Sequence, residues 1–129
     1  MIPFDTSVWI ELLNGTLGSK LTEADLLDFV TCGPILQEVL QGLRDDPACE
    51  ALRESLLALQ VLSDPVAIAR FLSAAEIYRL GRAKGYTIRS STDCLIAAIA
   101  IENGVPVWHK DRDFEAIARY TSLRTKRIN

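Results

Sequence analysis

The stretch SSTDCLIAAIAIENGVPVWHKDRDF, residues 90–114, predicts a helix, a tight turn and a short buried strand that ends among acids. Ser90 and Asp93 have the spacing of a capping box, so a helix is expected to begin there. The small apolar residues that follow continue this helix until Gly104, since glycine accepts the left-handed conformation that ends many helices. VPVWH is typical of a buried strand, and two aspartates come directly after it.

Strands and helices alternate on both sides of this stretch. Short strands are predicted at 2–5, 28–32, 61–63, 105–109 and 122–125, and helices at 8–14, 33–43, 47–59, 66–83, 93–103 and 112–120. Such alternation predicts an α/β fold with three layers, in which helices cover both faces of a short central parallel sheet. No repeat or linker interrupts the pattern, so one domain over residues 1–129 is expected.

Length and composition exclude several classes of protein. A chain of 129 residues that is 49% hydrophobic can build one core. No apolar run is long enough for a membrane span, and the first residues lack the features of a signal peptide, so a cytoplasmic location is expected. Three widely spaced cysteines and one histidine argue against a disulfide framework, a thiolate zinc site and any mechanism that needs two imidazoles. The 17 carboxylates remain for chemistry.

Charge is distributed unevenly along the chain. Residues 1–64 carry a net charge of −8 (three basic and eleven acidic side chains), and residues 65–129 carry +5 (eleven basic and six acidic). The basic half therefore permits an anionic partner, although an ordinary solvated surface explains the same pattern. The candidates to contact such a partner near an acidic site are Lys110, Arg112, Arg82 and Arg89, together with Arg79 and Lys84.

Five acids stand where strands end or helices begin: Asp5, Glu38, Asp93, Asp111 and Asp113. The carboxyl ends of parallel strands meet at one edge of a sheet, so these side chains can converge. Two carboxylates about 4 Å apart repel by roughly 4 kcal/mol at an effective dielectric constant near 20, so a cluster needs protons or cations. Oxygen ligands suit Mg²⁺, with Mn²⁺ as an alternative, and such ions assist phosphodiester hydrolysis.

Four of these acids also have a purely structural explanation, whereas Asp5, which closes a short apolar strand, is not explained by packing. Asp93 can complete a capping box, Asp111 can cap the helix that follows, and Glu38 can lie on a solvated helix face. His109 is expected to be a polar loop residue or a core residue rather than a catalyst.

Four motifs in a fixed order give the chain a resemblance to a known family. They are DTSVWIELL (5–13), QEVLQG (37–42), TDCLIAAIA (92–100) and VPVWHKDRDF (105–114). Together they resemble the PIN domain, and more narrowly the VapC-type toxin ribonucleases of bacterial VapBC toxin–antitoxin systems. The resemblance covers nearly the whole chain, with residues 45–85 matching only in helical character.

The resemblance implies a metal-dependent endoribonuclease that leaves a 5′-phosphate and a 3′-hydroxyl. It assigns catalytic roles to Asp5, Glu38, Asp93 and Asp111, and metal binding to Asp5, Asp93, Asp111 and Asp113. Ser7 matches a small polar residue that helps to orient the first acid. His109 stands where many members carry threonine. The resemblance also implies a VapB-type antitoxin as inhibitor and a homodimer.

Three other functions are compatible with parts of the sequence. A receiver-type phospho-acceptor domain has this length, but it needs a second aspartate after a central strand, where PACEALRESLLAL predicts a helix. A haloacid-dehalogenase-type phosphatase needs DxD at the first strand, where this chain has Asp5-Thr6-Ser7. A non-catalytic PIN-like scaffold would have lost acids, and none of the pattern is missing.

The antitoxin that the resemblance implies also needs a binding surface. An antitoxin helix needs an apolar groove, for which Trp9 and Leu13 are candidates.

Overall fold

The protein is represented by a computed structural model that describes residues 4–5 and 29–127. The predicted helix at 8–14, the candidate groove residues Trp9 and Leu13, and the site candidate Ser7 lie outside the described residues. Asp5 is described in its backbone only.

The described elements follow the predicted alternation. They are β1 (Phe4–Asp5), β2 (Val30–Thr31), α1 (Gly33–Gln41), α2 (Pro47–Leu57), β3 (Gln60–Val61), α3 (Ile68–Ala83), α4 (Ser91–Asn103), β4 (Val107–His109), α5 (Arg112–Tyr120) and β5 (Thr125–Arg127). Proline opens α1 and α2, since the first turn of a helix needs no amide donor there. Gly104 ends α4 in the left-handed conformation, as its sequence predicts.

All five strands are parallel and lie in the order β3-β2-β1-β4-β5, with β1 in the centre. Right-handed crossovers then place α1 and α2 on one face of the sheet and α3, α4 and α5 on the other. The mutual packing of α3, α4 and α5 agrees with this arrangement. The predicted three-layer α/β/α fold with a short parallel sheet is confirmed.

Strands β2, β3, β4 and β5 are shorter than the sequence predicts, and the last one is displaced. It was expected at 122–125, but β5 covers Thr125–Arg127. The Thr121 hydroxyl donates to the Ile117 carbonyl and accepts from the Leu123 amide, so these residues form the exit from α5. Pairing with β4 begins only at Thr125, opposite Val107.

The N-terminal bounds of two further elements also differ from the prediction. The strand expected from residue 105 begins at Val107, whose amide binds the Arg124 carbonyl across the sheet. The helix expected from residue 66 begins at Ile68, because Ala67 has extended backbone angles.

Helix α4 forms the middle of the core. Its segment 96–100 is buried on every side, with exposures of 2% or less, which is how a helix that is apolar all round is accommodated. Helix α3 packs beside α4, buries Ala74, Ile77 and Gly81, and leaves Ile68 and Leu72 exposed. Among the described residues no helix combines the length and the apolar character needed to cross a membrane.

Candidate metal centre and active site

Three aspartates lie together at the carboxyl edge of the sheet. Asp93 is in the first turn of α4, Asp111 directly precedes α5, and Asp113 is in the first turn of α5. A carboxylate oxygen from each lies within 4.8 Å of one from each of the others. We call these residues the acidic cluster. Of the four predicted acids whose side chains the structure describes, it therefore brings together three.

Helix capping explains how two of these acids are held. Asp111 Oδ1 accepts a hydrogen bond from the Asp113 amide at 3.0 Å, which makes Asp111 the N-cap of α5. Ser90 Oγ accepts from the Asp93 amide at 3.4 Å and caps α4. Negative charge is favoured at both helix N-termini because their free amides carry partial positive charge. Capping and clustering thus occur in the same residues and are not alternatives.

The acidic cluster carries more negative charge than its surroundings neutralise. Asp93 is only 6% exposed, and its pKa is raised to about 7 by burial and, to a smaller extent, by the charges of Glu38, Asp111 and Asp113. The charge of Arg89 opposes this shift. Such a buried carboxylate favours either a proton or a cation. An all-oxygen set of this kind fits a hard divalent ion such as Mg²⁺ or Mn²⁺.

Glu38 and Asp5 stand at the border of the acidic cluster. Glu38 lies half-buried on α1, and its pKa is raised by burial and by the charge of Asp111. Glu38 therefore interacts electrostatically with the acidic cluster, although it is not one of the three residues that define it. Asp5 ends the central strand β1, and its backbone is in register with Trp108 of β4. This position puts the Asp5 backbone at the same edge of the sheet.

Arg89 contacts two members of the acidic cluster. Its Nη2 donates to Asp111 Oδ1 at 3.0 Å, and its Nε donates to Asp113 Oδ2 at 3.4 Å. Its backbone amide donates to the same Asp113 oxygen at 3.1 Å. From the sequence, Arg89 is a candidate for RNA contact alone, and its contacts with the two aspartates are not predicted. Its position next to Ser90, the residue that caps α4, indicates that it lies close to the site.

The remaining basic candidates lie in two different places. Arg112 begins α5 and lines a groove of about 340 Å³ beside Asp113. Lys110 is exposed next to Asp111. Arg82 lies near the end of α3, with its guanidinium 5.6 Å from the centre of the Tyr78 ring, and does not line this groove.

The groove also contains Arg119 and Tyr86, which the sequence does not single out as candidates for RNA contact. Within the described part of the chain, neither Arg112 nor Arg119 forms an ion pair, whereas Glu115 in the same groove is paired with Arg127. The seven-residue spacing of the two arginines places them on one side of α5. The same spacing in the sequence could have identified Arg119 as a second candidate for RNA contact beside Arg112.

His109 is a core residue, as the sequence predicts. It is fully buried at the end of β4, with its ring centre 5.7 Å from that of Phe114. Burial lowers its pKa, which favours the neutral ring. Neither ring nitrogen has a hydrogen-bond partner of normal geometry. The ring has no exposed atom with which to reach a substrate.

The chain belongs to the PIN domain family, whose sequence model matches residues 2–120. It is 40% identical to the VapC ribonuclease Mb1587 of Mycobacterium bovis and to ribonuclease VapC11 of Mycobacterium tuberculosis. Each match covers 96% of this chain and 96% of the relative.

Solved structures of toxin–antitoxin complexes share the fold. VapBC2 from Rickettsia felis, bound to a DNA fragment from its promoter, superposes with a TM-score of 0.74 at 18% identity over the whole of both chains. VapBC-5 from Mycobacterium tuberculosis superposes with a TM-score of 0.71 at 25% identity over 98% of each chain. The resemblance stated from the four motifs is confirmed.

Proposed function

We propose that this chain is a metal-dependent endoribonuclease and the toxin of a type II toxin–antitoxin system. The observation that carries the proposal is the acidic cluster at the carboxyl edge of a PIN fold, in a chain 40% identical to VapC ribonucleases. All 129 residues are taken as one PIN domain that acts in the cytoplasm. The ion is Mg²⁺, with Mn²⁺ as a substitute.

Asp5, Asp93, Asp111 and Asp113 would hold the metal, with Glu38 at the border of the site as a fourth catalytic acid beside Asp5, Asp93 and Asp111. When bound, a divalent ion activates water and stabilises the charge that develops on the phosphate. Burial of Asp93 and Asp113 keeps bulk water from these two carboxylates. The caps on α4 and α5 hold the first helical turns that carry them. Ser7 is proposed to orient Asp5.

RNA is proposed to approach along the groove beside Asp113. An acidic site repels phosphates, so cations must lie close to it for RNA to bind. Arg112 and Arg119 supply two cations that form no ion pair with a described acid, and Tyr86 offers an aromatic ring in the same groove. Lys110 and Arg89 lie nearest the acidic cluster. Arg82 remains a candidate only for a more distant part of the RNA.

The antitoxin and the homodimer are partners in this proposal. The two solved neighbours are VapBC complexes, which supports a VapB-type antitoxin here as well. For the homodimer, the candidate surface is the exposed side of α3, where Ile68 and Leu72 are 72% and 67% exposed. Light scattering should report a dimer for the parent chain and a smaller mass for Leu72→Asp.

Two alternatives are disfavoured by particular observations. A receiver domain needs an aspartate closing a central strand, but residues 47–57 are helical and β3 is an edge strand. A non-catalytic scaffold has no need for a buried, mutually repelling cluster, in which burial and the neighbouring acids raise the pKa of Asp93.

Cleavage of RNA by the purified chain tests the proposal. Asp111→Asn removes one negative charge while asparagine can still cap α5, so the fold should survive. We expect the rate in Mg²⁺ to fall at least about a hundredfold, as for Asp93→Asn, and EDTA to abolish parental cleavage.

Asp46→Asn is the matched control, because Asp46 caps α2 through the Cys49 amide and lies outside the acidic cluster. It should cleave at the parental rate. Parental activity in Asp111→Asn or Asp93→Asn, or full activity in EDTA, would contradict the mechanism.

The proposed VapB-type antitoxin is tested by co-expression. Co-expression of the parent with its antitoxin should restore growth, and Trp9→Asp or Leu13→Asp should weaken the resulting complex.

A further inference from the structure

Arg89 contacts two members of the acidic cluster, and its backbone and side chain do so differently. Its backbone amide binds Asp113 Oδ2, so the loop before α4 is tied to the first turn of α5 whatever the side chain does. Its guanidinium reaches both Asp111 and Asp113. The contact with the acidic cluster therefore has a fixed part, the amide, and a separable part, the guanidinium.

Exposure shows which partner can move. The Arg89 side chain is 57% exposed, whereas the Asp113 side chain is 6% exposed. Withdrawal of the guanidinium would place a charged group in water at little cost, because it is already largely solvated. Movement of Asp113 would instead disturb the core beside Phe114, which is buried. The arginine is thus the exchangeable member of the pair.

Two carboxylate oxygens of the acidic cluster already have their full set of hydrogen-bond donors. Asp111 Oδ1 already accepts from the Asp113 amide and from Arg89 Nη2, and Asp113 Oδ2 accepts twice from Arg89. A carboxylate oxygen has about two acceptor positions, so both atoms are saturated. A cation that uses either oxygen must first displace the guanidinium.

We propose that Arg89 is an internal counter-ion. In the metal-free protein its guanidinium binds Asp111 and Asp113, and it competes with the divalent ion for these two side chains. The inference rests on the proposed metal site and adds a residue that sets its affinity. Arg89 is a positioning residue in this state, because it acts through the two aspartates. A purely structural ion pair at the surface would leave metal affinity unchanged.

Direct titration with Mn²⁺ tests this without any RNA. Free Mn²⁺ is measured by electron paramagnetic resonance for the full chain, for Arg89→Gln and for Arg89→Lys. Loss of the competing charge should tighten Mn²⁺ binding about fivefold to tenfold in Arg89→Gln. Arg89→Lys keeps the charge, so it should remain nearer to the parent.

Arg119→Gln is the matched control, since it removes one positive charge from the neighbouring groove without touching the acidic cluster. Its affinity for Mn²⁺ should stay within about twofold of the parent, which measures the general effect of charge.

A second measurement is thermal unfolding. Arg89→Gln should unfold below the parent in EDTA, and saturating Mn²⁺ should remove this difference.

The outcomes separate the inference from the function it rests on. If the parent binds Mn²⁺ and Arg89→Gln binds it equally or more weakly, Arg89 does not compete and the inference is overturned. If neither the parent nor any variant binds Mn²⁺ and EDTA leaves RNA cleavage intact, the metal-dependent function itself fails, and the inference fails with it.

Discussion

At the scale of single residues, Asp93 shows how one position can serve both folding and chemistry. Its amide is held by Ser90, while its carboxylate is buried against other acids. The first interaction stabilises the start of α4, and the second opposes folding whenever the carboxylate is charged. In the metal-free protein this conflict makes stability depend on pH.

The pKa of Asp93, about 7 in the folded protein, lies above its ordinary value of 3.8, so the folded state holds this proton more tightly than the unfolded state. The free energy of unfolding should therefore fall as the pH rises from about 4 to 7, and then level off. Each pKa unit corresponds to about 1.4 kcal/mol, so the loss is of the order of a few kcal/mol.

Urea unfolding in EDTA at several pH values measures this dependence. Asp93→Asn should lack this loss and be more stable than the parent at pH 8. The difference between parent and variant is the relevant quantity, because the lowered pKa of His109 acts in the opposite direction. The prediction is wrong if the two proteins differ by a constant amount from pH 4 to 8. Asp46→Asn should keep the parental slope over pH 5–8.

At the scale of elements, the close contact of α3 and α5 holds the helix that is capped by Asp111 and carries Asp113. The Tyr120 hydroxyl, at the end of α5, donates to the Ile77 carbonyl of α3 at 2.9 Å. A Cβ on Gly81 would overlap this hydroxyl and lie 2.8 Å from the ring carbon that bears it. Glycine is thus required at position 81 by close approach, although it is a poor helix former.

Gly81→Ala should lower the free energy of unfolding by about 1–3 kcal/mol, since overpacking outweighs the better helix propensity of alanine. Chemical denaturation measures the change. In a Tyr120→Leu background the same substitution should be neutral or stabilising, because the obstacle has been removed. Equal destabilisation in both backgrounds would show that Tyr120 is not the cause.

At the scale of the whole molecule, the two halves of the chain divide the charge between them. The acidic half supplies Glu38 and, in β1, Asp5, while the basic half supplies the acidic cluster itself and the arginines beside it, Arg89, Arg112 and Arg119. The groove with Arg112 and Arg119 lies beside the same first turn of α5 that holds Asp113. This proximity predicts that RNA binding depends on the local charge of the groove rather than on the net charge of the protein.

Charge reversal at Arg112 and Arg119 should weaken RNA binding and flatten its dependence on salt, because about one counterion is released for each phosphate contact. Binding is measured by fluorescence anisotropy in an Asp93→Asn background, so that the RNA stays intact. The control is charge reversal at Arg44 and Arg53, which changes the net charge equally in the acidic half. Equal losses in both double variants would refute a specific groove.

The sequence by itself determined the alternation of elements, the caps at Ser90 and Asp111, and the convergence of acids at one sheet edge. These are local or topological properties: capping needs only a few neighbouring residues, and parallel strands bring their carboxyl ends together. Only the tertiary structure decided which side of α3 is buried, because its apolar residues occupy more than one side of the helix. It also decided the partners of Arg89, since contacts across 22 and 24 residues depend on how α4 and α5 pack.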